Sequence, residues 1–288
     1  MLSVVRLVDS VIDEIDEAFG ITLDRNWKQL PGGDESGVFR CGDVVVRVAP
    51  TWRTDAELEW TNEVALVAAD EVAEVVAPLF RPDGSTVVRI DDRAVTLWPF
   101  VEGERADDRD ADTRLQAADL LARVHRALGR MPWRPRPTDG APTAPTPDLD
   151  DHDLDTWLAL FDRDHATRHA LHGDFCGGNA LVADGHIVGL LDWDEALVGP
   201  PERELAWAAW EWGDCLKTLD LEPALAFVDA YRAAGGPARR IGEHDLRQLV
   251  RQRLRWESGY RRANTPFDLE YESRQLRAFH RLRVPSRS

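Results

Sequence analysis

Asp184-Gly185 lies between two apolar runs, Ala180-Leu181-Val182-Ala183 and His186-Ile187-Val188-Gly189-Leu190-Leu191. An Asp-Gly pair in that setting is a strong signal for a two-residue β-hairpin. The residues at its open end make the hairpin informative. His172-Gly173-Asp174-Phe175-Cys176-Gly177-Gly178-Asn179 leads into the first arm, and Asp192-Trp193-Asp194 leaves the second. Pairing outward from the turn predicts Asn179 opposite Leu190, with Asp192 just beyond the same end. Cross-strand neighbours stand about 5 Å apart, so the hairpin should return Asp192 to the place where Asp174 and Asn179 already are. One candidate base and two oxygen ligands then converge from separate parts of the chain.

That trio suits phosphoryl transfer. Mg²⁺ takes near-octahedral oxygen coordination and is commonly held by one or two side chains plus substrate phosphates. Asn179 and Asp192 could supply the protein oxygens, and Asp174 could accept the proton of an attacking hydroxyl. The offsets match the protein-kinase signature of His-Arg-Asp, four residues, Asn and a later metal-binding Asp, with Gly173 in place of Arg. More specifically, the stretch resembles the HGDxxxxN and (I/L)D motifs of the aminoglycoside phosphotransferase and choline kinase-like family. The resemblance implies an α+β, bilobal protein-kinase-like fold with a small antiparallel-sheet N-terminal lobe and a larger, mainly helical C-terminal lobe. It also implies ATP as co-substrate, Mg²⁺ as cofactor, Asp174 as the catalytic residue and Asn179 and Asp192 as metal ligands. No DFG tripeptide follows Asp192, and no A-P-E sequence follows further on. A long activation segment has no room, which argues against a protein substrate.

Upstream, the period-two pattern predicts strands at 27–30, 38–41, 44–48, 77–81, 86–90 and 94–98. Gly33 and Ser36 fall in a Gly-rich turn that, on the kinase reading, lies over nucleotide phosphates. Arg47 occupies the strand where kinases carry a phosphate-contacting Lys. A helix is expected over 54–70, with Glu63 as the carboxylate partner of Arg47 and Glu59 as competitor. Trp98 and Phe100 flank a Pro-Gly-punctuated stretch expected to serve as an adenine-binding hinge. The expected division is thus an N-terminal nucleotide lobe over 1–98, a hinge over 99–103 and a helical lobe over 104–288. Helical spacing marks 3–19, 113–128, 152–168, 202–214, 222–234, 243–263 and 268–282.

A formal net charge of −17 argues against a nucleic-acid surface or an anionic-membrane anchor. It is compatible with a cationic substrate. The N-terminal segment is amphipathic and acidic, which is neither a signal peptide nor a membrane span, so a cytoplasmic monomer or homodimer is expected. The three cysteines show no disulfide framework or metal spacing. Acidic and aromatic residues gather after the metal Asp, making Asp194, Glu195, Glu204, Trp207 and Glu211 candidates for the acceptor site. Family substrates include aminoglycosides, choline, homoserine and sugars. The acidic cluster favours an amine-bearing acceptor such as an aminoglycoside or amino sugar, with antibiotic resistance among the possible roles. Glu204 also stands where the family often has an Asp, which allows a structural role.

Overall fold

The computed structural model describes residues 7–31, 36–130, 132–137, 143–165 and 167–283. Its first half builds an antiparallel sheet from β1 (Lys28–Gln29), β2 (Gly37–Cys41), β3 (Val44–Val48), β4 (Val87–Ile90) and β5 (Arg93–Pro99). The spatial order is β1-β2-β3-β5-β4. Gly42, at φ +64°, makes the tight return from β2 to β3. Helix α1 (Asp9–Phe19) buries Ile12, Ile15 and Phe19 in one apolar cluster with Phe39, Val46, Val48 and Leu97. Successive strand residues face opposite sides. With Val46 and Val48 committed to that cluster, Arg47 points the other way. That other side is bordered by α2 (Asp55–Ala69), whose first turn is capped by the Thr54 hydroxyl accepting from the Glu57 N–H.

The second half is mainly helical: α3 (Ala111–Leu128), α4 (His152–Asp164), α5 (Pro201–Trp212), α6 (Cys215–Thr218), α7 (Glu222–Ala233), α8 (Glu243–Asn264) and α9 (Leu269–Arg281). Asp110, Asp151 and Asp268 cap the N-termini of α3, α4 and α9 through side-chain oxygens. Five short strands thread between the helices: β6 (Glu104–Arg105), β7 (His169–Leu171), β8 (Ala180–Ala183), β9 (His186–Leu190) and β10 (Leu197–Gly199). Together with the five-stranded sheet they form a bilobal, protein-kinase-like fold. None of the described helices is long and apolar enough to cross a membrane.

The hairpin β8–β9 turns at Asp184 and Gly185, both at positive φ (51° and 76°). Its register differs from the expected one by a residue. Ala180, not Asn179, faces Leu190, because the pairing slips between Leu181 and Val182. A bulge inserts one extra residue into β9, and the Leu191 N–H then donates to the Asn179 carbonyl at 2.8 Å. Three further expectations are corrected. Residues 77–81 form no strand; Pro78 and Pro82 deny ladder donors, and Leu79 makes one bond, to the Leu97 carbonyl at 2.7 Å. Glu104 and Arg105, at the start of what was expected to be a helical lobe, pair with Val182 and Leu181 as a short strand. The β7–β10 ribbon was not anticipated, since three-residue strands carry too little alternation to read.

Candidate active site

The catalytic loop is held mainly by backbone contacts. His172 is fully buried; its Nε2 lies 2.9 Å from the Leu191 carbonyl, and its Nδ1 accepts the Asp174 N–H at 3.2 Å. Those partners fix the tautomer with the proton on Nε2. Both ring nitrogens are engaged, so His172 ties the loop to the end of β9 and is not placed as a base. Gly173 sits at φ +87°, and a Cβ there would come within 1.9 Å of the Glu195 carbonyl oxygen. The Arg of the protein-kinase signature therefore has no room in this loop.

Asp174 faces Asn179. The Asn179 amide donates to the Asp174 carboxylate at 2.8 Å and to the Asp174 carbonyl at 2.9 Å. With both hydrogens spent, the amide oxygen of Asn179 remains as an acceptor. Asp192, in the left-handed region at φ +64°, follows immediately after the Leu191–Asn179 backbone bond. Its side chain is 44% exposed and ion-pairs with Arg47 at 3.0 Å. Burial alone would raise the Asp192 pKa, but the Arg47 guanidinium outweighs it and lowers the value, keeping a carboxylate there. Among the described residues no cluster of three or more His, Cys, Asp or Glu side chains could hold a metal by itself. The pair Asn179 and Asp192 provides two hard oxygens, which suits a cation whose remaining ligands are phosphates and water.

Arg47 reaches both Asp192 and Asp194, at 3.0 and 2.9 Å, through the same Nη2. Burial works against its charge, and the carboxylates of Asp194 and Asp192 more than restore it. The expected partner, Glu63, instead pairs with Arg134 at 2.9 Å near the surface. The competitor Glu59 accepts from the backbone N–H groups of Thr86 and Val87. Helical spacing turns both away from the cleft, while Glu57 is the residue of α2 that faces it, buried against Arg53 and Arg136. Sequence reasoning missed Glu57 and both arginines. A cue was available in Arg53-Thr54-Asp55-Ala56-Glu57, an i,i+4 charge pair astride a helix N-cap.

Two expected nucleotide contacts are refined and one lies out of view. Gly33 falls outside the described residues, and Ser36 is half-buried just before β2. The Trp98 indole is buried, with Nε1 donating to Thr96 at 2.9 Å. The Phe100 N–H donates to the Asp43 carbonyl at 2.8 Å, and the ring lies 3.5 Å from the Arg40 guanidinium. By the two-residue alternation of an antiparallel ladder, Trp98 is likewise engaged with Val45. Beyond Phe100, no backbone hydrogen bond among the described residues engages the Val101 amide.

The acceptor candidates divide. Asp194 is committed to Arg47, and its carbonyl receives Arg136 at 2.9 Å, so it braces the cleft and does not line an acceptor pocket. Glu204 is also corrected to a brace. It accepts the His172 N–H at 3.1 Å and also the Gly173 N–H, and it lies 2.8 Å from His125, whose other nitrogen meets the Tyr231 hydroxyl at 2.8 Å. Glu195 pairs with Arg53 at 2.7 Å while half-exposed at a cavity wall. Trp207 lines the same cavity. Glu211 is half-buried, and burial, followed by the charges of Glu257 and Asp174, pushes its carboxyl up to about 8. Glu257, one turn before Arg261 on α8, joins it as an acidic neighbour and accepts the Tyr271 hydroxyl at 2.6 Å. Burial also pushes the Cys176 thiol well up, which leaves it no nucleophilic role.

This geometry can be set beside known proteins. The profile of the phosphotransferase enzyme family matches residues 26–244, which takes in the sheet, the catalytic loop and the hairpin. The chain belongs to the phosphotransferase enzyme family. As a phosphotransferase it resembles the protein StrN of Streptomyces griseus, at 28% identity over 259 residues, covering 71% of this chain and 77% of that protein. An uncharacterized protein of Deinococcus radiodurans is 26% identical over 250 residues, covering 77% of this chain and 69% of its own. Solved structures share the phosphotransferase fold at lower identity. The amicoumacin kinase hAmiN, in complex with AMP-PNP, Ca²⁺ and Ami, superposes with a TM-score of 0.67 at 13% identity, covering 96% of this chain and 93% of that one. Spectinomycin phosphotransferase APH(9)-Ia, in complex with ADP and spectinomycin, gives 0.63 at 13% identity over 97% and 95% of the two chains. A microcompartment-associated aminopropanol kinase gives 0.63 at 16% identity over 95% of each.

Proposed function

We propose that the chain transfers the γ-phosphate of ATP to a hydroxyl of a small, amine-bearing molecule of the aminoglycoside or amino-sugar kind. The carrying observation is the meeting of Asp174, Asn179, Asp192 and Arg47 at the end of one hairpin. We place the nucleotide lobe over 1–98 and the hinge over 99–103. The nucleotide would lie between the lobes, with its purine at the Val101 amide and its phosphates toward Arg47 and Ser36. Asn179 and Asp192 would hold Mg²⁺, which supplies charge neutralisation at the transferring phosphoryl group. Asp174 would orient the acceptor hydroxyl and take its proton as the new P–O bond forms and the bond to the ADP leaving group breaks. Most of the rate enhancement in such a loose transition state comes from positioning and electrostatics. A cytoplasmic location, where ATP is abundant, goes with this reading.

The amine preference is supported by Glu211 and Glu257, the acceptor-side carboxylates not consumed by bracing arginines or backbone amides. Related structures named for spectinomycin, aminopropanol and choline or ethanolamine point to the same broad acceptor chemistry. The direct test is Mg-ATP turnover over a panel of amino sugars, aminoglycosides and amino alcohols, read as the mass gain of one phosphate. Asp174→Ala should lower kcat by roughly 10²- to 10⁴-fold, the usual contribution of a positioned base, without lowering the melting temperature. Near-wild-type turnover in that variant would refute the assignment.

A further inference from the structure

A cavity of about 440 Å³ opens beside the catalytic loop, lined by Gly173 and Phe175, Trp207 of α5, and Gln252, Arg253 and Trp256 of α8. Its charged residues can be paired off. Glu195 answers Arg53, and Glu204 is consumed by His125 and two backbone amides. Arg136 answers Glu57, and Arg203 answers Asp162 at 2.7 Å. Arg253 is left over. Its guanidinium lies 5.2 Å from the Trp207 ring and 4.6 Å from the Trp256 ring. Its buried Nε–H has no hydrogen-bond acceptor, and no carboxylate among the described residues forms an ion pair with it. Glu211 feels this charge at a distance, so what the wall of the cavity presents is a guanidinium without a direct ion-pair partner.

Arg253 is half-buried, so the terminal N–H groups of its guanidinium are left for solvent or a ligand. Aromatic faces hold a guanidinium flat and stabilise its charge, yet they accept none of its five N–H groups. A planar fork presented at a cavity wall matches the two oxygens of a carboxylate. We propose that Arg253 is the anchor for a carboxylate on the acceptor, so that the substrate carries an acid group as well as the hydroxyl presented to Asp174. The proposal deepens the kinase reading above and rests on it for the position of the hydroxyl. The cavity itself fixes the relation between the two groups, because Gly173 and Phe175, the neighbours of Asp174, line it together with Arg253.

The test uses matched pairs that differ in the acid group: glucuronate with glucose, muramic acid with glucosamine, and homoserine with 3-aminopropanol. Binding is read first by thermal shift of the full chain, independently of turnover. At least one acid should stabilise the wild type more than its partner, and Arg253→Gln should abolish that difference while leaving the unliganded melting temperature within a degree or two. Arg253→Lys should retain part of it. Turnover with Mg-ATP should then show KM for the acid raised tenfold or more in Arg253→Gln with kcat little changed. The uncharged partner should change by less than twofold. Equal shifts for both members of every pair, no shift with any acid, or equal losses for acid and partner in Arg253→Gln overturn the proposal. The kinase reading fails by a different result, Mg-ATP turnover that survives Asp174→Ala.

Discussion

Residue 173 accommodates no side chain. Its φ of +87° and the 1.9 Å approach of a built Cβ to the Glu195 oxygen act together, and backbone on backbone gives no room for a rotamer to escape. Gly173→Ala should therefore cost more than about 2 kcal/mol, combining the left-handed penalty with a displaced loop, and should remove activity in whatever fraction still folds. Chemical denaturation alongside kcat reads both effects; an active, equally stable Ala variant would contradict the geometry. Glu211 supplies a second residue-scale expectation. Its folded pKa of about 8 stands above the ordinary value of 4.5, so folding favours the protonated form. The stability this group contributes is complete below about pH 4.5 and is lost as pH rises through 8. A cationic amine binds best to the ionised form, so kcat/KM for such an acceptor should climb as pH passes through about 8 in the free enzyme. Glu211→Gln should flatten both slopes, and a slope that persists in it assigns the titration elsewhere.

At the scale of elements, the catalytic loop is positioned from behind by a chain of polar contacts joining α5, α3 and α7. Glu204 on α5 receives two loop amides and meets His125 on α3, and His125 meets Tyr231 on α7. Although Glu204 is buried, His125 more than offsets the desolvation and keeps its pKa low. In Glu204→Gln, one amide N–H₂ must face donors that the carboxylate had satisfied. A loss of about 1–3 kcal/mol is expected from the unsatisfied groups, together with a fall in kcat at unchanged KM for ATP; a silent substitution would remove Glu204 from the positioning of the loop. The same elements show what the sequence could and could not reveal. Helix positions were legible because each amphipathic stripe is long and several carry an Asp cap. The hairpin was legible because Asp-Gly fixes its turn, yet its register was not, because a bulge depends on packing across the strands. Glu59 and Glu63 looked equivalent to Glu57 in a helix rich in carboxylates. Only the position of Arg53 and the return of Arg136 from a distant loop decide which of them faces the cleft. Arg253 was invisible for the same reason: its lack of a partner is a property of the assembled surroundings.

For the whole molecule, the lobes are joined by arginines as well as by chain. Arg47 and Arg53 extend from the sheet side to Asp192, Asp194 and Glu195, and Arg136 returns from the helical side to Glu57 while also donating to the carbonyls of Asp194 and Ala196. Apart from the Arg136–Glu57 pair, these contacts converge on residues 192–196, the segment that follows β9 and contains the proposed metal ligand Asp192. Lobe orientation and ligand geometry are thereby coupled: a shift of α2 moves Glu57, and with it the anchor of the segment that carries Asp192. Arg136→Ala is the informative cut, because Glu57 keeps Arg53 and no buried carboxylate is left without a cation. The loss of charge-assisted hydrogen bonds from a side chain only 10% exposed should cost about 2–4 kcal/mol. It should also separate the melting of the sheet lobe from that of the helical lobe. Calorimetry would then show a van't Hoff enthalpy below the calorimetric one in the variant, and agreement between them in the wild type. KM for ATP should rise in parallel, while KM for the acceptor, whose proposed cavity lies on the helical side, should change less. If the variant melts in a single cooperative step with unaltered KM for ATP, the arginine ties are incidental and the lobes are coupled through the apolar contacts of α2 alone.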